Sequence, residues 1–128
     1  MYTPDVLDHF RHPRNAGVLD GASVHGRAEN PGCGDEVELA LRFQGGRIAE
    51  VRFRARGCVP TIACASRLTE LVHELDPADA FRIDAAALAV SLGGLPPASG
   101  HAAKLAVQAL RAALATPPAV PGTNTVPT

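Results

Sequence analysis

The apolar residues of this chain change their repeat once, and that change decides the fold class. From Glu36 to Phe43 they alternate, with Val37, Leu39, Leu41 and Phe43 on one face and Glu36, Glu38 and Arg42 on the other. Gly45 and Gly46 then supply a turn, after which Val51, Phe53 and Ala55 alternate with Arg52, Arg54 and Arg56. A period of two with one apolar and one charged face predicts antiparallel strands covered on one side only. After Cys58 the spacing becomes helical: Pro60 stands at a helix start, and Cys64, Leu68, Leu71 and Leu75 fall on one stripe. Strands followed by helices predict an α+β domain whose arginine-bearing sheet face looks to solvent.

The flanking elements are weaker but ordered. "GASVHGRAEN", residues 21–30, is a candidate preceding strand, which makes the sheet three-stranded. At the start, Thr3 caps a short helix with Pro4 in its first turn and Val6, Leu7 and Phe10 at helical spacing, stopped by Pro13. Asp76 and Pro77 end the long helix near Leu75, and "IDAAALAVSL" reads as a short Asp-capped helix closed by Gly93 and Gly94. "LPPASG" is a loop, and the alanine-rich stretch from His101 to Leu114 is the last helix. The remaining "TPPAVPGTNTVPT" holds four prolines and almost no large apolar residue, so it is predicted to be disordered. One domain over residues 1–115 and a Pro-rich tail over 116–128 follow.

Composition excludes several function classes. A formal charge of -1 with dispersed basic residues gives no electrostatic footprint for nucleic acid or anionic lipid. No stretch approaches the roughly 18 apolar residues of a membrane span, and "MYTPDVLDHFRHPRN" has no basic start followed by an apolar run, so a cytoplasmic protein is expected. Three cysteines, an odd number, in a reducing compartment favour thiols or metal ligands over a disulfide framework. A chain of 128 residues can bury a core without such staples.

Those cysteines sit at positions that invite chemistry. Cys33 lies between two glycines in a loop before a strand, with Asp35 two residues on; Cys58 lies between a strand end and a helix start; His101 begins the last helix. Glycine lets the backbone approach a ligand closely, and a helix N-terminus offers unpaired N–H groups and partial positive charge to an anionic centre. Each residue also has a plain structural reading, as a packed thiol, a turn former or a helix-start residue. His9, His12, His25 and His73 read as structural or solvated. Cys64 shares its stripe with leucines and reads as core, although helical side chains lean toward the N-terminus and so direct its sulfur back toward Cys58.

The ordered set "DHFRHPRNAG", "CGDEVELALRF", "VRFRARGCVPTIACAS", "LTEL" and "LPP" followed by a histidine resembles the IscU and NifU N-terminal type of iron-sulfur cluster scaffold over about residues 1–115. The resemblance implies a three-stranded antiparallel sheet with helices over one face and a metal or cluster site at one end. Carried over residue by residue, that site is Cys33, Asp35, Cys58 and His101. The family's third cysteine follows the histidine, where this chain has Ala102; Cys64 makes up the count at a position where the family has serine. The set is then Cys2AspHis, or Cys3Asp if Cys64 enters, and either suits a [2Fe-2S] cluster or zinc. The resemblance also implies a cysteine desulfurase as partner. The chaperone-presented unit "LPPVK" reads "LPPAS" here, and the missing lysine argues against recognition by an Hsp70-type chaperone. Two functions follow: a non-enzymatic cluster scaffold or carrier with an altered ligand set, or a non-assembling zinc- or partner-binding adaptor. An enzyme with Cys58 as nucleophile is the weakest reading, because no supporting order of Cys, His and Asn is present.

Overall fold

The computed structural model describes residues 1–32 and 34–116. Cys33 and the expected tail beyond Thr116 lie outside the described residues. Helix α1 (Pro4–Arg11) is capped by the Thr3 hydroxyl, which accepts from the Val6 N–H. Three strands follow, β1 (Val24–Asn30), β2 (Asp35–Gln44) and β3 (Arg47–Arg56), forming an antiparallel sheet in the order β1-β2-β3. Then come α2 (Val59–Val72), α3 (Pro77–Phe81), α4 (Ala85–Ser91), a 3-10 turn at Pro97–Ser99 and α5 (Gly100–Ala115). No helix among the described residues is long and apolar enough to cross a membrane.

Period-two alternation places Val37, Leu39 and Leu41 of β2 with Val51 and Phe53 of β3 on one buried face, where α2 and α5 pack. Arg54 and Arg56 are exposed and Arg52 is half-buried. On that outer face arginines and glutamates pair across strands, Arg56 with Glu36 at 3.3 Å and Arg42 with Glu50 at 2.7 Å. The face is not bare, because Gly17, Val18 and Leu19 border a hollow there with Ala40, Arg52 and Arg54.

Two features decide where the helices sit. Gly26 of β1 lies against α5 so closely that a Cβ there would be 2.2 Å from both the Ala109 carbonyl oxygen and the Ala113 amide nitrogen. Only glycine on the strand and alanines on the helix permit that approach. The outer edge of β3 is occupied on both halves: Phe53 exchanges backbone hydrogen bonds with Asn15 and Gly17, and Ile48 with Glu74 and Leu75. Edge cover of this kind comes from irregular segments, with Asn15 and Glu74 at positive φ, that have no alternating pattern of their own.

The structure differs from sequence expectation in details with physical causes. The long helix ends at Val72 and buries Ala65, Leu68 and Val72, with Leu71 half-buried; α1, β3 and α5 all pack on it, so its buried sector is wider than one stripe. Asp76 and Pro77 do not merely stop a helix: the Asp76 carboxylate caps α3 by accepting from the Asp79 N–H at 2.8 Å. Phe10 of α1 is exposed and His9 is buried, because His9 belongs to a polar network. Its Nδ1 accepts from the Ser66 hydroxyl (2.7 Å), which in turn accepts from the Arg14 N–H (2.9 Å), and its Nε2 faces Glu70 at 3.1 Å.

Two predictions follow. Gly26→Ala, which forces a Cβ into the α5 backbone, is expected to destabilise the domain by roughly 1–3 kcal/mol, read by chemical denaturation. Burial, followed by the nearby Arg14 charge, lowers the pKa of His9 from its ordinary 6.5. The folded protein then binds this proton less readily than the unfolded chain. Its stability is full above the unfolded value and declines as pH falls through that value toward the lower folded one. Melting temperatures measured from about pH 8 to about pH 5 should show this decline, reduced in His9→Gln.

Candidate metal centre

The site forms where three elements end. Asp35 opens β2, Cys58 is the residue capping the N-terminus of α2, and His101 is in the first turn of α5. Period two puts the Asp35 side chain on the same helix-facing side as Val37, so a carboxylate ends an otherwise apolar row, with only 4% of the residue exposed. A buried carboxylate needs partners. Its Oδ2 accepts from the Thr61 hydroxyl at 3.1 Å, lies 3.2 Å from His101 Nε2 and is 3.8 Å from Cys58 Sγ. Its Oδ1 rests against Gly57, where a Cβ would come within 2.3 Å. Gly57 has φ +145, a backbone conformation that itself excludes most side chains.

One donor atom from each of Asp35, Cys58 and His101 lies within 4.8 Å of the others. His101 Nδ1 is 3.1 Å from the Ala98 carbonyl oxygen, an acceptor that requires the hydrogen on Nδ1. Nε2 and the Asp35 oxygen, 3.2 Å apart, are joined by a hydrogen carried on either atom or by a cation between them. Ordinary zinc bond lengths put the N–O edge of a tetrahedral site near 3.4 Å and the S–O edge near about 3.6 Å; the observed separations are 3.2 Å and 3.8 Å. The donor set fits a small thiophilic cation.

Of the residues singled out in the sequence, Asp35, Cys58 and His101 are brought together. Cys64 lies in the hydrophobic core, fully buried, and is not among these clustered donors. Burial, with a smaller contribution from Cys58, pushes its thiol up to about 12. Ala102, beside His101, is also fully buried. Sequence reasoning missed Thr61. Its signal was a hydroxyl three residues after Cys58, one helical turn on, inside an otherwise apolar run.

The chain matches the NifU-like N terminal domain family over residues 1–121. It belongs to that family. Among its relatives, "Iron-sulfur cluster assembly scaffold protein IscU 1" of Archaeoglobus fulgidus is 38% identical over 114 residues, covering 89% of this chain and 74% of that protein. "Nitrogen fixation protein NifU" of Cereibacter sphaeroides is 44% identical over 113 residues, covering 88% of this chain and 46% of that protein. The crystal structure of a NifU-like N-terminal domain from Brucella abortus superposes with a TM-score of 0.69 at 15% identity, covering 88% of this chain and 90% of that one. That likeness extends to the NifU-like layering itself, a three-stranded antiparallel sheet with helices.

Exposure separates the two described thiols of this NifU-like domain: Cys58 is exposed and Cys64 buried. Iodoacetamide applied to the native protein should alkylate Cys58 and leave Cys64 unmodified until denaturant is added, as peptide mass mapping would show.

Proposed function

We propose that this protein is an iron-sulfur cluster assembly scaffold or carrier, with a [2Fe-2S] cluster or zinc held as cargo by Cys33, Asp35, Cys58 and His101. One observation carries the reading: Cys58 Sγ, His101 Nε2 and a buried Asp35 oxygen converge within 4.8 Å of one another. The relative from Archaeoglobus fulgidus that is named a cluster assembly scaffold supports it. Cys33 enters by the family motif "CGD" alone.

Each residue has a distinct task. Cys58 supplies a soft, strongly donating thiolate at an exposed position that a sulfur-donating cysteine desulfurase could reach. Asp35 and His101 are harder ligands that exchange more readily. A mixed set holds its cargo less tightly than four thiolates, which suits a protein that passes the cargo on. Gly57 and the Ala98 carbonyl fix the carboxylate and the imidazole before anything binds.

A second reading has its own observation. Where the family resemblance calls for a third cysteine, this chain has the buried Ala102, which favours a zinc-binding adaptor that does not assemble clusters. Sulfide separates the two. Anaerobic purification followed by iron, zinc and acid-labile sulfide analysis is expected to yield iron and sulfide together, and zinc without sulfide, even after reconstitution, would establish the adaptor. Cys58→Ser should lose most of the bound metal in either case. Full metal retention in that variant would overturn the site assignment.

A further inference from the structure

We propose that Thr61 is a positioning residue that holds the Asp35 carboxylate in its ligating orientation, a role that rests on the metal-holding reading above. Thr61 is fully buried in the first turn of α2. Its hydroxyl lies 3.1 Å from Asp35 Oδ2 and 3.3 Å from Cys58 Sγ. A hydroxyl has a single hydrogen to donate. The buried carboxylate, as an anion, accepts it, and the Cys58 S–H is left to donate to the Thr61 oxygen or to Asp35 Oδ2 at 3.8 Å.

The geometry around Asp35 makes this contact decisive for orientation. Oδ1 is stopped by the Gly57 backbone, so the carboxylate cannot turn that way. On the other side, Thr61 is the hydrogen-bond donor to Oδ2 that is contributed by a rigid element and carries its hydrogen in every protonation state. His101 faces the same oxygen at 3.2 Å, but a ring that ligates a metal ion through Nε2 carries no hydrogen on that atom, so Thr61 alone of the two still donates. Hydrogen bonds to ligating carboxylates orient them and typically contribute 10–100-fold to metal affinity.

The contact also couples two ligands. When Cys58 binds as thiolate it has no hydrogen to give, and the Thr61 hydroxyl is the adjacent donor able to reach the sulfur or the carboxylate by rotation about one bond. The residue type matters for this reason: serine preserves the donor, while valine preserves the shape and removes it.

Zinc titration of the full-length apo protein against a chromophoric chelator, under anaerobic reducing conditions, tests the proposal. Thr61→Val should weaken zinc binding about 10–100-fold, and Thr61→Ser should bind as the unaltered protein does. In an Asp35→Asn background the loss caused by Thr61→Val should be clearly smaller, since the residue acts mainly through Asp35. Circular dichroism melting of each apo variant verifies folding, and Thr61→Ala replaces Thr61→Val should the latter not fold. Unchanged affinity in the folded hydroxyl-less variant, or an undiminished loss in the Asp35→Asn background, would overturn the proposal. Cys58→Ser included in the same titration separates the two levels: if it binds zinc as tightly as the unaltered protein, the metal site itself is wrongly assigned.

Discussion

The contact between α5 and β1 at Gly26 is the constraint on which the remaining geometry depends. Backbone atoms of Ala109 and Ala113 stand where a side chain on residue 26 would be, so the helix lies directly on the strand. Its buried face is built from Ala102, Ala103, Ala106, Ala109 and Ala113 with Leu105, Val107 and Leu110, and the alanines are small enough to keep that distance. Such a helix has little freedom to tilt or slide. Its first turn is thereby fixed over the end of β2, and His101 is delivered to Asp35 across 66 residues of sequence.

Local stability and site chemistry oppose one another at Asp35. A valine or leucine there would continue the apolar row of β2 and bury more favourable surface. The carboxylate instead needs Thr61, His101 and the space made by Gly57. Three elements are thus arranged to keep one unfavourable group in place, a pattern common where function outranks packing.

The sheet was legible because its period-two rows are long and one-sided, and the strand register then fixed which residues share a face with Asp35. The helix starts near Cys58 and His101 were legible from proline and alanine placement. The edge cover of β3 by Asn15–Gly17 was not, since a segment that pairs over so few residues carries no period. Nor was the His9–Ser66–Glu70 network, because polar burial depends on partners 57 and more residues away. At the site, the family motif pointed to Asp35, Cys58 and His101, whereas Thr61 could be recognised only once α2 was seen to turn its hydroxyl under the carboxylate. The sequence left Cys64 with two readings, and three-dimensional packing puts it among leucines and alanines in the core.

The occupied edge of β3 has a consequence for self-association. A sheet grows indefinitely by strand addition only when both of its edges accept a new strand, since each added copy must present an edge for the next. Here the backbone groups of Phe53 and Ile48 that face outward are already bonded within the chain. A strand added at β3 would have to displace those bonds, which leaves β1 as the edge more open to a partner strand.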